Sequence, residues 1–206
     1  MSVEHEAKFR LHDCLETQTR LKSLGRLRSP WHFESNTVYD RGDELASSGR
    51  LLRLRRALTS TLTFKEPLSG PTTSGVKSRI ERESRIEDPR AMDAILRGLG
   101  YAPRLRYEKF RAVWELPRGL VFLDILPFGH FLEIEAAPKD ITPIATDLGL
   151  DPAAAMDASY HGLHQSWRRQ NGLDASADFV FDEAARHQLT TLLGCDARPQ
   201  GVDHAD

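Results

Sequence analysis

From Val3 to Ala137 the chain is built of short segments in which apolar and polar positions alternate, the period expected when successive side chains point to opposite faces of a strand. Such alternation runs through Val3–Leu11, Asn36–Asp40, Arg50–Ala57, Thr59–Lys65, Val76–Ile86, Tyr107–Leu116, Leu120–Leu126 and Phe131–Ala137. These segments predict about eight strands, mostly joined as an antiparallel set. Helices are marked by their ends. Asp13 can cap one that stops at Gly25, and Asp88-Pro89 starts another that stops near Gly98 or Gly100. Asp140 and Asp151-Pro152 start two more, the second reaching Arg169. Past Asn171-Gly172, a polar link from Asp174 to Asp178 leads to a last short helix near Asp182–Leu193 and a tail expected to be disordered. The expected class is α+β, with one strand-rich domain over residues 1–170 and a C-terminal extension over 171–206.

Each strand has one apolar and one charged face. Lys109 and Arg111 lie opposite Phe110, Ala112 and Trp114; Asp124 lies opposite Leu123 and Ile125; Glu133 and Glu135 lie opposite Leu132, Ile134 and Ala136. At the N-terminus Glu4, Glu6 and Lys8 share a face, with Val3, His5, Ala7 and Phe9 turned away. Helices carrying Leu15, Leu21 and Leu24, or Ile95, Leu96 and Leu99, need an apolar sheet face to bury their own stripes, so they are expected on the oily side. The charged side then faces open water or the inside of a closed sheet.

Charge narrows the function classes. Lys and Arg total 28 against 30 Asp and Glu, a net charge of -2 in 206 residues. That balance offers no general attraction to nucleic acid or anionic lipid, and neither partner is expected. No stretch reads as a signal peptide, no apolar run suits a membrane helix, and Cys14 and Cys195 form no metal-ligand spacing. A cytoplasmic protein is expected. Both signs recur on the charged faces as i, i+2 doublets, among them Arg53 with Arg55, Arg79 with Glu81 and Glu83, and Lys109 with Arg111. Eight strands can close a small barrel that holds one small ligand. A lumen of both signs suits a polyanion with its metal ions, since carboxylates take hard cations through oxygen while Arg and Lys clamp phosphate.

The ordered set of motifs resembles the CYTH superfamily of triphosphate tunnel metalloenzymes. The signature E-x-E-x-K stands as Glu4-His5-Glu6-Ala7-Lys8. R-x-R before T-x-K stands as Arg53-Leu54-Arg55 and Thr63-Phe64-Lys65, followed by Arg79-Ile80-Glu81-Arg82-Glu83, Lys109-Phe110-Arg111, Asp124 and Glu133-Ile134-Glu135. The segment Asn36–Asp40 and the run Gly49–Arg55 look closest to the class IV adenylate cyclase branch.

This resemblance implies an antiparallel eight-stranded, tunnel-like β-barrel with helices on its outer face. It implies Mg²⁺ or Mn²⁺, one or two ions, on Glu4, Glu6, Asp124, Glu133 and Glu135. A small-molecule triphosphate, whether ATP, tripolyphosphate or thiamine triphosphate, would bind Lys8, Arg53, Arg55, Lys65, Arg79, Lys109 and Arg111. Lys8, Lys65, Glu81 and Glu83 would serve the reaction, Glu81 and Glu83 either reaching a metal or holding the basic residues. The implied activity is conversion of ATP to cyclic AMP and pyrophosphate. Alternatives are hydrolysis of inorganic or thiamine triphosphate, or polyphosphate binding without turnover; a homodimer is compatible with the resemblance.

Other features read as structural. His161 and His164 are three apart on a helix with no third ligand nearby, and Cys14 reads as helix packing. Pro67–Gly75 reads as a hairpin loop that could lie as a flap over the barrel mouth.

Overall fold

Two-faced strands need shelter for the apolar face and balance for the charged one, and closing the sheet on itself supplies both. In the computed structural model, which describes residues 2–68 and 75–196, the strands are β1 (Ser2–Leu11), β2 (Arg26–Asp40), β3 (Leu51–Arg56), β4 (Ser60–Pro67), β5 (Lys77–Ile86), β6 (Ala102–Leu116), β7 (Gly119–Leu126) and β8 (Gly129–Ala136). They form one closed antiparallel barrel in the order β1-β5-β4-β3-β2-β6-β7-β8. Most of the hairpin predicted at Pro67–Gly75, and the C-terminal tail, lie outside the described residues.

The helices are α1 (Cys14–Leu24), α2 (Glu44–Ser47), α3 (Pro89–Gly98), α4 (Pro138–Asp147), α5 (Tyr160–Gln170) and α6 (Glu183–Leu193). Outside the barrel, Leu21 of α1, Ile141 and Ile144 of α4, and Leu189 and Leu193 of α6 pack onto the outward side chains Phe9, Phe110, Ala112, Trp114, Val121, Leu123, Leu132 and Ile134. A second outer cluster joins Leu52 and Leu54 of β3 to Leu45 of α2 and Leu96 of α3. Ile95 and Leu99, expected under the same cover, stay exposed. A third cluster lies on inward positions: Val38, Tyr107, Leu126 and Phe131 pack against Tyr160, Leu163 and Trp167 of α5 and against Phe179. No helix among the described residues is long and apolar enough to cross a membrane.

Three departures from the expected elements have local causes. β2 begins at Arg26 rather than Asn36, because register shifts between Leu27 and Ser29 and between Ser29 and His32 break its alternation. The helix expected from Asp151 to Arg169 is divided into a 3₁₀ turn over Pro152–Ala154 and α5. Met156 is extended between them, its N–H donating to the Lys8 carbonyl at 2.8 Å and its carbonyl accepting from Lys8 N–H at 3.1 Å. Helix α4 starts at Pro138, which leaves Asp140 in its first turn rather than at its cap. The short α2 has no pattern of its own; the Asp40 carboxylate holds it by accepting from the N–H groups of Arg41, Leu45 and Ala46.

Gly25, between α1 and β2, runs so close to β6 that an added Cβ would lie 2.4 Å from the Glu115 carbonyl oxygen. Gly98, ending α3, faces open space. In urea unfolding, Gly25→Ala should therefore cost about 1–3 kcal/mol. Gly98→Ala should add about 0.5–1 kcal/mol.

Candidate functional site

Inside the barrel lies a cavity of about 560 Å³. Inward parity brings to its wall Glu4, Glu6, Lys8, Arg53, Arg55, Lys65, Arg79, Glu81, Glu83, Lys109, Arg111, Glu133 and Glu135. Of the metal-, substrate-binding and catalytic residues expected from sequence, only Asp124 is not on the wall; it is fully buried behind Arg111 and Lys109.

Strand register decides which charges meet. Lys8 sits across from Glu133 in the β1–β8 ladder, Arg111 from Asp124 in β6–β7, Lys109 from Glu34 in β2–β6 and Lys65 from Glu81 in β4–β5. Asp124 Oδ1 accepts from Arg111 Nε at 2.6 Å, and its Oδ2 accepts from Arg111 at 2.6 Å, Tyr160 Oη at 2.7 Å and Lys109 Nζ at 3.2 Å. Glu133 pairs with Arg111 at 2.5 Å and with Lys8 at 3.2 Å, and Lys8 also reaches Glu6 at 2.7 Å. Lys65 bridges Glu4 at 2.5 Å and Glu81 at 2.6 Å. Glu83 accepts from Arg55 at 3.2 Å and from Thr63 at 2.8 Å, while Arg53 donates to the Tyr107 hydroxyl at 3.0 Å.

Sequence reasoning missed three groups here. Glu34 is 2 % exposed, 3.6 Å from Lys109 and 3.8 Å from Arg55. It lies in the regularly paired stretch His32–Val38 of β2, of which the expected strand covers only the part from Asn36 onward. Asn36, with no exposed surface, has neither amide atom hydrogen-bonded. Tyr160 comes from α5, and nothing in its helical spacing points inward. Lys77 was visible as a charged strand position and lines the same wall. His161 also lines the cavity, whereas His164 is buried among Phe128, Trp167 and Phe179. Cys14 is fully buried at the start of α1.

The motif order now stands on one continuous lumen, and the CYTH domain family matches residues 2–148. The chain belongs to the CYTH family. No curated protein matches it. Among solved structures, PH1819 from Pyrococcus horikoshii OT3 is 22% identical with a TM-score of 0.67, covering 79% of this chain and 98% of that one. A Vibrio parahaemolyticus protein named as a candidate adenylate cyclase is 21% identical, with a TM-score of 0.65 over 76% of this chain and 95% of its own. HpAC1 from Hippeastrum, described as having a dominant triphosphatase activity, is 19% identical, with a TM-score of 0.58 and coverage of 84% and 98%. At these identities the likeness is one of fold.

The electrostatics of this CYTH lumen are uneven. Burial alone would disfavour charge on Lys8, yet Glu133 and Glu6 hold it protonated, its pKa above the ordinary value. Burial likewise opposes charge on Glu133 and Glu34, but Lys8 and Arg111 for the first, and Lys109 for the second, keep both far below the usual carboxylate range. Glu135 goes the other way. Burial, reinforced by Glu4, Glu81 and Glu133, lifts it to about 7. Burial, with Arg79 and Lys8, lowers Lys77 to about 8.

Among the described residues no three acidic, histidine or cysteine side chains already converge as metal ligands. The donor set nevertheless fits a hard divalent cation. Glu6 and Glu135 face each other directly across β1–β8; Glu6 is paired with Lys8 at 2.7 Å, whereas Glu135 forms no ion pair among the described residues and is left short of positive charge. Glu4, which raises the pKa of Glu135, supplies a third oxygen donor nearby.

Stability measured in chelator should separate the two glutamates of β8. Glu133→Gln strands parts of Lys8 and Arg111 and should cost on the order of 3 kcal/mol near neutral pH, less as pH falls below the ordinary glutamate range. Glu135 has a raised folded pKa, so both states are protonated below about 4.5 and the penalty is complete only above about 7. Glu135→Gln should accordingly leave the urea midpoint unchanged at acid pH and raise it increasingly through pH 7.

Proposed function

We propose that this CYTH protein is a divalent-metal-dependent enzyme that cleaves a triphosphate held in the barrel lumen, with ATP to cyclic AMP and pyrophosphate as the first assignment. The observation that carries the reading is a lumen polarised between two arcs. Taken together, β5, β1 and β8 line it with the carboxylates of Glu81, Glu83, Glu4, Glu6, Glu133 and Glu135 against the cations Lys77, Arg79 and Lys8. The opposite arc carries the cations Lys65 on β4, Arg53 and Arg55 on β3, and Lys109 and Arg111 on β6. A polyanion with its counter-cations satisfies both arcs at once.

In this reading Arg53, Arg55, Lys65, Arg79, Lys109 and Arg111 hold phosphate oxygens, with Lys77 beside them. Lys8 and Lys65 face the charge that builds on the phosphoryl and leaving groups, the largest catalytic contribution in phosphoryl transfer. Glu81 and Glu83 act by position, since they already hold Lys65 and Arg55. Glu4, Glu6, Glu133 and Glu135 hold one or two Mg²⁺ or Mn²⁺ ions, and Asp124 supports them from behind the wall. Such an ion, when bound, supplies Lewis acidity and neutralises phosphate charge. For cyclisation the ribose 3′-hydroxyl attacks the α-phosphorus and pyrophosphate leaves. The cavity volume is within the range of small-molecule sites, and Val38, Leu51, Leu105 and Phe179 give it an apolar wall suited to a nucleoside.

Hydrolysis of tripolyphosphate or thiamine triphosphate is the second reading, favoured by the self-sufficiency of the charged network, in which no residue is reserved for reading a base. Binding without turnover is disfavoured because a polyanion binder would gain by losing the carboxylates of β1 and β8.

Incubation with ATP, tripolyphosphate or thiamine triphosphate plus Mg²⁺ or Mn²⁺, with cyclic AMP, pyrophosphate and phosphate resolved, orders the three. Cyclic AMP is expected, phosphate alone means hydrolase, and absence of every product refutes turnover. Glu135→Gln should lower metal-dependent turnover by about 10²-fold or more while remaining folded.

A further inference from the structure

We infer that Tyr160, which lies beyond the part of the chain matched to the CYTH family, is a positioning residue for triphosphate binding: it holds Asp124 in place while Lys109 and Arg111 turn to phosphate. The inference rests on the triphosphate reading above and assigns a role that reading does not contain.

Tyr160 reaches the lumen through a built connection. Met156 is tied to Lys8 by two backbone hydrogen bonds, and the Ser159 hydroxyl accepts from Gly162 N–H at 3.1 Å to start α5. The first residue of that helix is then aimed into the barrel. Its ring meets Phe131 edge-on at 5.3 Å and has Lys8 Nζ at 5.4 Å and Lys109 Nζ at 5.5 Å from its centroid. One ring thus lies against two ammonium groups of the proposed phosphate cradle.

The hydroxyl has a separate task. Asp124 accepts from Arg111, Lys109 and Tyr160, and Tyr160 is the only neutral side-chain donor of the three. In the free protein the two cations balance the carboxylate. Phosphate oxygens compete for the same N–H groups, and a fully buried carboxylate that loses part of its cationic company is costly. The phenol does not compete for phosphate in this way and stays with Asp124. Removing it should therefore weaken triphosphate binding more than it disturbs the free protein, in which Asp124 retains its bonds to Arg111 and Lys109.

Two variants test this, with tripolyphosphate affinity measured calorimetrically in EDTA, Mn²⁺-dependent kinetics on the best substrate, and thermal unfolding. Tyr160→Phe keeps the ring and loses only the hydroxyl; its Kd and KM should each rise about tenfold, the worth of one hydrogen bond to a charged group. Its kcat should stay within about threefold and its Tm within a few degrees, the signature of lost binding rather than lost transition-state contacts. Tyr160→Leu also loses the ring and should raise Kd further, to about a hundredfold. A lowered Tm with unchanged Kd and KM in Tyr160→Phe would mean a purely structural role and overturn the inference, as would wild-type behaviour in every readout. If Tyr160→Leu does not fold, Tyr160→Phe alone decides. A wild-type protein that neither binds tripolyphosphate in EDTA nor turns over any triphosphate with Mn²⁺ overturns the triphosphate reading and this inference with it, whereas wild-type binding or turnover with an unaffected Tyr160→Phe removes the inference only.

Discussion

Enclosing both signs of charge inside a closed barrel is the constraint on which the rest of this structure depends. A buried ion without a partner is far more expensive than any single helix cap or packing contact can offset. The lumen meets that demand mainly through strand register, which puts Lys8 across from Glu133, Lys109 from Glu34, Arg111 from Asp124 and Lys65 from Glu81. A slip of one residue in any of these ladders would turn charges outward into the oily helix layer and apolar groups inward. Register, closure and the ion pairs are therefore one cooperative feature, and the outer helices bury the apolar faces that this register leaves on the outside.

The same constraint explains why the chain beyond β8 is involved in the barrel. Phe179 donates its N–H to the Arg106 carbonyl and accepts from Glu108 N–H, and its ring stacks on Tyr107 at 5.1 Å. Tyr107 in turn accepts from Arg53. These contacts and the Met156 bridge pair backbone edges of β6 and β1 that no strand covers, and the Tyr160 bond gives the inward Asp124 a donor that the eight strands do not provide.

The alternating strands made most of the barrel and most of its wall readable. Glu133 and Glu135, or Arg53 and Arg55, share a face by arithmetic alone, and no tertiary information is needed to pair them as doublets. What could not be read was everything that depends on register or on a break in period. Glu34 alternates with Phe33 in a regularly paired stretch of β2, but the register shifts just before His32 interrupt the pattern that leads into it, and the expected strand begins only at Asn36. The gap between the 3₁₀ turn and α5 arises from a backbone pairing with β1 more than a hundred positions away. Asp124 was legible as an inward carboxylate, but its distance from the cavity was not, because only the β6–β7 register puts Arg111 and Lys109 in front of it.

The uneven distribution of charge around the lumen also bears on how ligands enter it. On the acidic arc, Glu135 is pushed up to about 7 by burial and by Glu4 and Glu81, while Lys77, on the other side of Glu6, is lowered to about 8 by burial with Arg79 and Lys8. Both shifts mean that the free lumen is short of counter-charge at these points even though its total is nearly balanced. A cation alone would relieve Glu135 and worsen the position of Lys77; a phosphate alone would do the reverse. Entry of the two together removes both penalties, so metal and polyanion should each strengthen the other's binding through a field they share, with no conformational change required. That reciprocity is a thermodynamic necessity once the two sites are coupled. Under the proposed function, the metal–polyanion pair, rather than either component, is then the ligand to which this lumen is complementary.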